Sequence, residues 1–198
     1  TKLSDLIDLA FSNPGTLGET HAFVAIQSGQ LVFERYGDGY GADQTYPSWS
    51  MAKSMTQALV GLALSDGKGD LHTPINAPEW QDPNDPRAQI TLDQLLRMAS
   101  GLQFTEDYEN SGISHTIEML FGSGKADVAH FAADLPLEHA PDTFWSYSSG
   151  STNIICRWLA ETLGVDQAGF EAYMRTRLFE PIGMRSPVPK FDAAGTFI

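Results

Sequence analysis

Residues 22–36 constrain this chain most, because they hold a hairpin that cannot stand alone. Ala22-Phe23-Val24-Ala25-Ile26 and Leu31-Val32-Phe33-Glu34-Arg35-Tyr36 are two strand-forming runs on either side of Ser28-Gly29, which reads as a tight glycine turn. Two strands are marginal in water unless further strands or a packed layer cover them. After Tyr36 the pattern is helical rather than stranded, so the hairpin belongs to a mixed fold.

Leu3, Leu6, Ile7 and Ala10 predict an amphipathic helix that Asn13-Pro14-Gly15 ends. Beyond the hairpin, Met55, Ala58, Leu59 and Leu62 form an apolar helical stripe that stops at Gly67 and Gly69. Four prolines make 70–90 irregular, and Thr91-Leu92-Asp93-Gln94 then supplies a capping box for a helix carrying Leu95 and Leu96. Residues 102–125 read as a long surface loop with a short helix near Ile117, Leu120 and Phe121. Further helices are expected around Val128–Leu135, Ile154–Leu163 and Phe170–Leu178, the last before Pro181.

A composition of 42% hydrophobic residues in 198 positions supports a real core, and a net charge of −13 repels phosphate backbones and anionic headgroups. Nucleic acid and membrane surfaces are therefore not expected partners. Cys156 is the single cysteine, which excludes an internal disulfide and a cysteine-based zinc site. Its apolar helical setting marks it as an inert thiol.

The chemistry concentrates in two segments. Tyr46-Pro47-Ser48-Trp49-Ser50-Met51-Ala52-Lys53-Ser54 holds Ser-x-x-Lys at a predicted helix start, where i and i+3 share a face and Lys53 reaches the Ser50 hydroxyl. A serine hydroxyl needs an adjacent base to become a nucleophile, and the helix N-terminus favours negative charge developing there. A second match, Ser65-Asp66-Gly67-Lys68, falls among glycines at a helix end and reads as a turn. The other segment, Trp145-Ser146-Tyr147-Ser148-Ser149-Gly150, offers a phenol and hydroxyls on a polar loop; Tyr147 is a candidate proton relay, and a serine-rich turn is the plainer alternative. Trp49 and Trp145 flank the two motifs, positions that suit a cleft wall or core packing equally. Five histidines, at 21, 72, 115, 130 and 139, lie in no recognisable motif, and no Gly-x-Ser-x-Gly elbow is present, so a Ser-His-Asp triad is not expected. Neither Gly67-Lys68 nor Gly124-Lys125 has the flanking residues of a phosphate loop.

Taken together, these segments resemble the serine β-lactamase and penicillin-binding superfamily, in particular its class C-like branch of D-alanyl-D-alanine peptidases, esterases and 6-aminohexanoate-dimer hydrolases. The resemblance runs from the hairpin through Ser50-Met51-Ala52-Lys53, Asp66-Gly67-Lys68, Ile90-Thr91-Leu92, Ser100-Gly101-Leu102 and the Tyr147 loop to Leu178-Phe179-Glu180-Pro181-Ile182-Gly183-Met184. It implies an α+β fold of an antiparallel sheet plus a helical subdomain. The chain would be a single, incomplete domain: a helix and hairpin over 1–45 and a mainly helical region over 46–198, without the C-terminal strands. It further implies an acyl-enzyme on Ser50, with Lys53 as base and Tyr147 sharing proton transfer, and no metal or organic cofactor. Where the family usually has Tyr-x-Asn, this chain has Tyr147-Ser148-Ser149, as in the esterase and aminohexanoate-hydrolase members. That makes Ser149 a candidate substrate contact, with Tyr108 as a candidate equivalent of their loop tyrosine. The family's third motif, a Lys-Thr-Gly or His-x-Gly strand, has no counterpart up to Ile198, so the resemblance implies a C-terminal polypeptide segment as partner. Small esters or amides are the expected substrates. A β-lactamase, a D-alanyl-D-alanine peptidase and a non-catalytic penicillin-binding-like module are the alternatives.

Overall fold

The computed structural model describes residues 2–12, 14–108 and 114–198, which fall into two compact units, Thr1–Pro47 and Ser48–Ile198. The fold is α+β: one two-stranded antiparallel sheet, with helices before and after it.

In the first unit, α1 (Lys2–Ser12) is followed by a helical turn, α2 (Pro14–Leu17), which the Pro14-Gly15 stop signal does not anticipate. Proline is tolerated there because the first N–H groups of a helix have no internal acceptor. β1 (Ala22–Gln27) pairs with β2 (Gln30–Tyr36), and the register shifts at Ala25/Ile26. Ser28 (φ +51°) and Gly29 (φ +76°) are both left-handed, the backbone a two-residue type I′ turn requires and the one whose twist matches the strands. Arg35 Nη1 donates to Asp8 Oδ1 at 2.6 Å, and its guanidinium lies 4.5 Å from the centre of the Phe11 ring, tying α1 to the hairpin. Val24, Ile26 and Leu31, which the register places on one face, are exposed, so that face of the hairpin is not sealed.

The second unit is helical. A 3-10 turn (Trp49–Met51) runs into α3 (Ala52–Ser65); then come α4 (Leu92–Leu96), α5 (His115–Phe121), α6 (Val128–Asp134), α7 (Ser149–Leu163) and α8 (Gln167–Met174). α7 is the hub: Ile154, Ile155 and Leu159 are buried, and the helix packs against α3, α4, α5 and α6. The capping box forms as the sequence predicts. Thr91 Oγ1 accepts from Gln94 N at 3.3 Å, while Gln94 Oε1 accepts from Thr91 N at 3.0 Å.

Two expectations shift. The inward face of α3 is Thr56, Leu59, Val60 and Ala63, one residue round from the predicted stripe, with Met55, Ala58 and Leu62 at its margin. Thr56 can face inward because its hydroxyl has partners there, Ala52 O at 3.4 Å and Cys156 Sγ at 3.5 Å. The last predicted helix changes register after Met174 into a π turn (Arg175–Phe179), which buries Leu178 and Phe179 together while Arg177 pairs with Asp66.

One ion cluster crosses the unit. Glu79, 6% exposed, accepts from both terminal nitrogens of Arg157, at 2.8 and 2.6 Å, and lies 2.8 Å from His130 Nδ1. Burial pushes the Glu79 carboxyl up, but hydrogen bonds from Arg157 and His130 outweigh it and hold Glu79 below its ordinary 4.5. The hydrogen bond to Glu79 raises His130 above 6.5. The His130 contribution to stability is thus complete below 6.5 and is lost as pH rises through its raised folded value. That of Glu79 is present above 4.5 and is lost as pH falls through its lowered folded value. His130→Gln is therefore expected to lower the urea midpoint at about pH 5.5 and to match the parent at about pH 9. Equal losses at both pH values would contradict this assignment.

Candidate active site

Ser50 sits in the 3-10 turn just ahead of α3, and Lys53 in the first turn of α3 itself. Trp49 before it has φ +44°, a left-handed backbone in a non-glycine residue, which costs about 1–3 kcal/mol and aims the following serine. Lys53 Nζ lies 3.1 Å from Ser50 Oγ. The i, i+3 spacing delivers the pair that the sequence predicts.

The Tyr147 loop is tethered to the end of α4. Met98, also left-handed at φ +59°, accepts from Ser146 N at 2.9 Å, and Ala99 O accepts from Asp142 N at 2.9 Å. Arg97 joins Asp93 (2.5 Å) to Asp142 (2.6 Å), which also accepts from Gln94 Nε2 at 2.9 Å. Gly101 permits the close approach of residues 138–139, both of whose N–H groups donate to Gly101 O. A Cβ there would stand 2.0 Å from His139 O. Ser148 then caps α7, its Oγ accepting from Ser151 N at 3.0 Å, so Ser149 becomes the first helical residue. The apolar periodicity from Ile154 onward misses this earlier start.

The two segments converge on Lys53. Its Nζ donates to Ser149 Oγ at 2.9 Å, and it lies 4.9 Å from the centroid of the Tyr147 ring. Glu106 is the residue that sequence reasoning misses. Its Oε2 accepts from Ser149 N at 2.8 Å, and its Oε1 accepts from Ser149 Oγ at 2.9 Å and from the Tyr108 hydroxyl at 2.8 Å. Tyr108 thus reaches this network through Glu106, although its side chain is largely exposed. Partial desolvation, reinforced by the Glu106 carboxylate, raises the Tyr108 phenol above its ordinary 10.0. The Glu106-Asp107-Tyr108 run looks like any acidic loop, and nothing in its spacing ties it to position 149. Residues 109–113 of the same loop lie outside the described residues.

Trp49 and Trp145 are 74% and 66% exposed, so neither packs into the core. Cys156 is buried, and burial pushes its thiol up to about 12, consistent with an inert group. None of the described contacts of His115, His130 and His139 involves Ser50: His115 Nδ1 accepts from Thr105 N, His130 meets Glu79, and His139 stacks on Phe144. Among the described residues no group of three or more His, Cys, Asp or Glu could hold a metal ion, and no helix is long and apolar enough to cross a membrane.

With the Ser-x-x-Lys turn, the tyrosine loop and the hairpin in place, the family can be stated. The sequence profile of the Beta-lactamase family matches residues 19–195, and the chain belongs to that family. Among solved structures it is similar to a Bacillus anthracis protein assigned as a 6-aminohexanoate-dimer hydrolase (TM-score 0.64, 22% identity, covering 83% of this chain and 43% of that one). It is also similar to the octameric penicillin-binding protein homologue of Pyrococcus abyssi (TM-score 0.64, 17% identity, 100% and 49%). A third is the D-amino acid amidase of Ochrobactrum anthropi SV3 with D-phenylalanine (TM-score 0.59, 19% identity, 93% and 52%). The chain spans about half the length of these relatives. No curated protein sequence matches it.

Proposed function

We propose that this chain carries the nucleophile half of a serine hydrolase that cleaves small esters or amides through an acyl-enzyme on Ser50. The observation that carries the reading is Lys53 Nζ, 3.1 Å from Ser50 Oγ, 2.9 Å from Ser149 Oγ and against the Tyr147 ring. In the reaction Ser50 Oγ bonds to the substrate carbonyl carbon while its proton passes to Lys53 Nζ. Tyr147 relays that proton to the leaving alkoxide or amine as the carbonyl–heteroatom bond breaks, and water then releases the acid by the reverse sequence. The Ser50 N–H, at the exposed start of a helix, suits one oxyanion donor. Ser149 and Tyr108 line the site as substrate contacts. A further polypeptide segment supplies the second donor and the strands that cover the hairpin, whose Val24, Ile26 and Leu31 are open on one face.

Amide cleavage ranks beside ester cleavage because the relatives include an amidase and a protein assigned as a dimer hydrolase. Serine at position 149, in place of the asparagine of Tyr-x-Asn, weighs against a β-lactamase. The test is a fluorophosphonate probe on the full natural protein, followed by intact mass and peptide mapping. One adduct on Ser50 is expected. A protein that stays unlabelled while folded is a non-catalytic binding module.

A further inference from the structure

We infer that Glu106 is a positioning residue whose carboxylate fixes the direction of the Ser149–Lys53 hydrogen bond and so keeps the Lys53 lone pair free for Ser50. The inference rests on the reading of Ser50 as nucleophile and Lys53 as base. A neutral lysine amine has two N–H donors and one lone pair, and only the lone pair can take the Ser50 proton. Among the described contacts three groups meet Nζ: Ser50 Oγ, Ser149 Oγ and the face of Tyr147. The hydroxyl of Ser149 is the hazard, because a serine O–H can donate as well as accept. If it donated to Nζ, it would occupy the lone pair and silence the base.

Glu106 removes that option. A carboxylate only accepts, and Oε1 lies 2.9 Å from Ser149 Oγ, so the Ser149 proton is committed to Glu106. Ser149 Oγ then faces Lys53 as an acceptor alone. One N–H of Lys53 points to Ser149, the other to the ring of Tyr147, and the lone pair is left toward Ser50. Glu106 is itself held by the Ser149 N–H at 2.8 Å and the Tyr108 hydroxyl at 2.8 Å, so its orientation is set from two sides. When Lys53 takes the Ser50 proton, the same serine oxygen accepts from the new ammonium; no proton moves to Glu106.

Glu106→Gln reverses the polarity at nearly constant shape. The Ser149 N–H needs the amide oxygen, so the amide NH2 turns toward Ser149 Oγ as a donor and releases the Ser149 proton to Lys53. The rate at which a fluorophosphonate phosphonylates Ser50, with loss of fluoride, in the full natural protein is expected to fall by about 10²-fold. Ser149→Ala, which leaves no hydroxyl to misdirect, is expected to cost only about 10-fold. The decisive variant is Glu106→Gln combined with Ser149→Ala: its Ser50 should be phosphonylated about as fast as in Ser149→Ala alone, a rescue that a merely structural role for Glu106 would not produce. Rates are taken per folded molecule. If Glu106→Gln fails to fold, Glu106→Met, which equally frees the Ser149 proton, is tested for the same rescue. A double variant as slow as or slower than the Glu106 single variant, or a single variant at the parental rate, overturns the inference while leaving the hydrolase reading intact. A folded parent protein unlabelled at Ser50 overturns both.

Discussion

Replacing Lys53 by methionine is expected to slow acylation of Ser50 by about 10³- to 10⁴-fold, at the upper end of what a positioned base contributes. Methionine keeps most of the length and apolar stem of lysine, so α3 and its buried face on Leu59, Val60 and Ala63 should persist. What disappears is the nitrogen that meets Ser50 Oγ at 3.1 Å and Ser149 Oγ at 2.9 Å. Among the described contacts Ser50 has no other base to turn to. Stopped-flow release from a p-nitrophenyl ester, read as burst rate at unchanged burst amplitude, checks this. A burst rate within about 10-fold of the parent would transfer the base role to another group while leaving Ser50 as the nucleophile.

The second large effect concerns stability. Arg157→Met is expected to lower unfolding free energy by about 3 kcal/mol, because Glu79 remains buried with its main counterion gone. His130 still meets one oxygen of Glu79, but its side chain is largely exposed and cannot replace a two-pronged guanidinium held within the fold. Adding Glu79→Gln to Arg157→Met should recover part of the loss, since the stranded charge is then removed. Urea midpoints of the three proteins decide the matter. A single-variant loss below about 1 kcal/mol would mean that water or a shifted side chain already solvates Glu79.

Local signals were legible in the sequence to the extent that their partners are near in the chain. The tight turn at Ser28-Gly29, the capping box at Thr91–Gln94 and the Ser50–Lys53 contact are all settled within four residues, and each forms as the sequence predicts. What the sequence hides depends on distant partners. The inward rotation of α3 needs Cys156 beside Thr56, and the π turn accompanies the pairing of Arg177 with Asp66. Glu106 meets Ser149 only because the α4 end, the 138–148 segment and the α7 cap bring two loops together. Composition and periodicity carry no trace of that meeting. Tyr147 and Ser149 are noticed from the tyrosine motif, while the acid that meets Ser149 looks like one more surface charge.

The left-handed backbone at Trp49 restricts that position independently of its indole, which projects into solvent. Its address in torsional space is one that glycine, asparagine and aspartate reach at least cost, and from which valine, isoleucine and threonine are barred by their branched Cβ. The tolerance of position 49 is therefore governed by main-chain geometry, so that two side chains as unlike as tryptophan and asparagine are closer substitutes there than tryptophan and isoleucine.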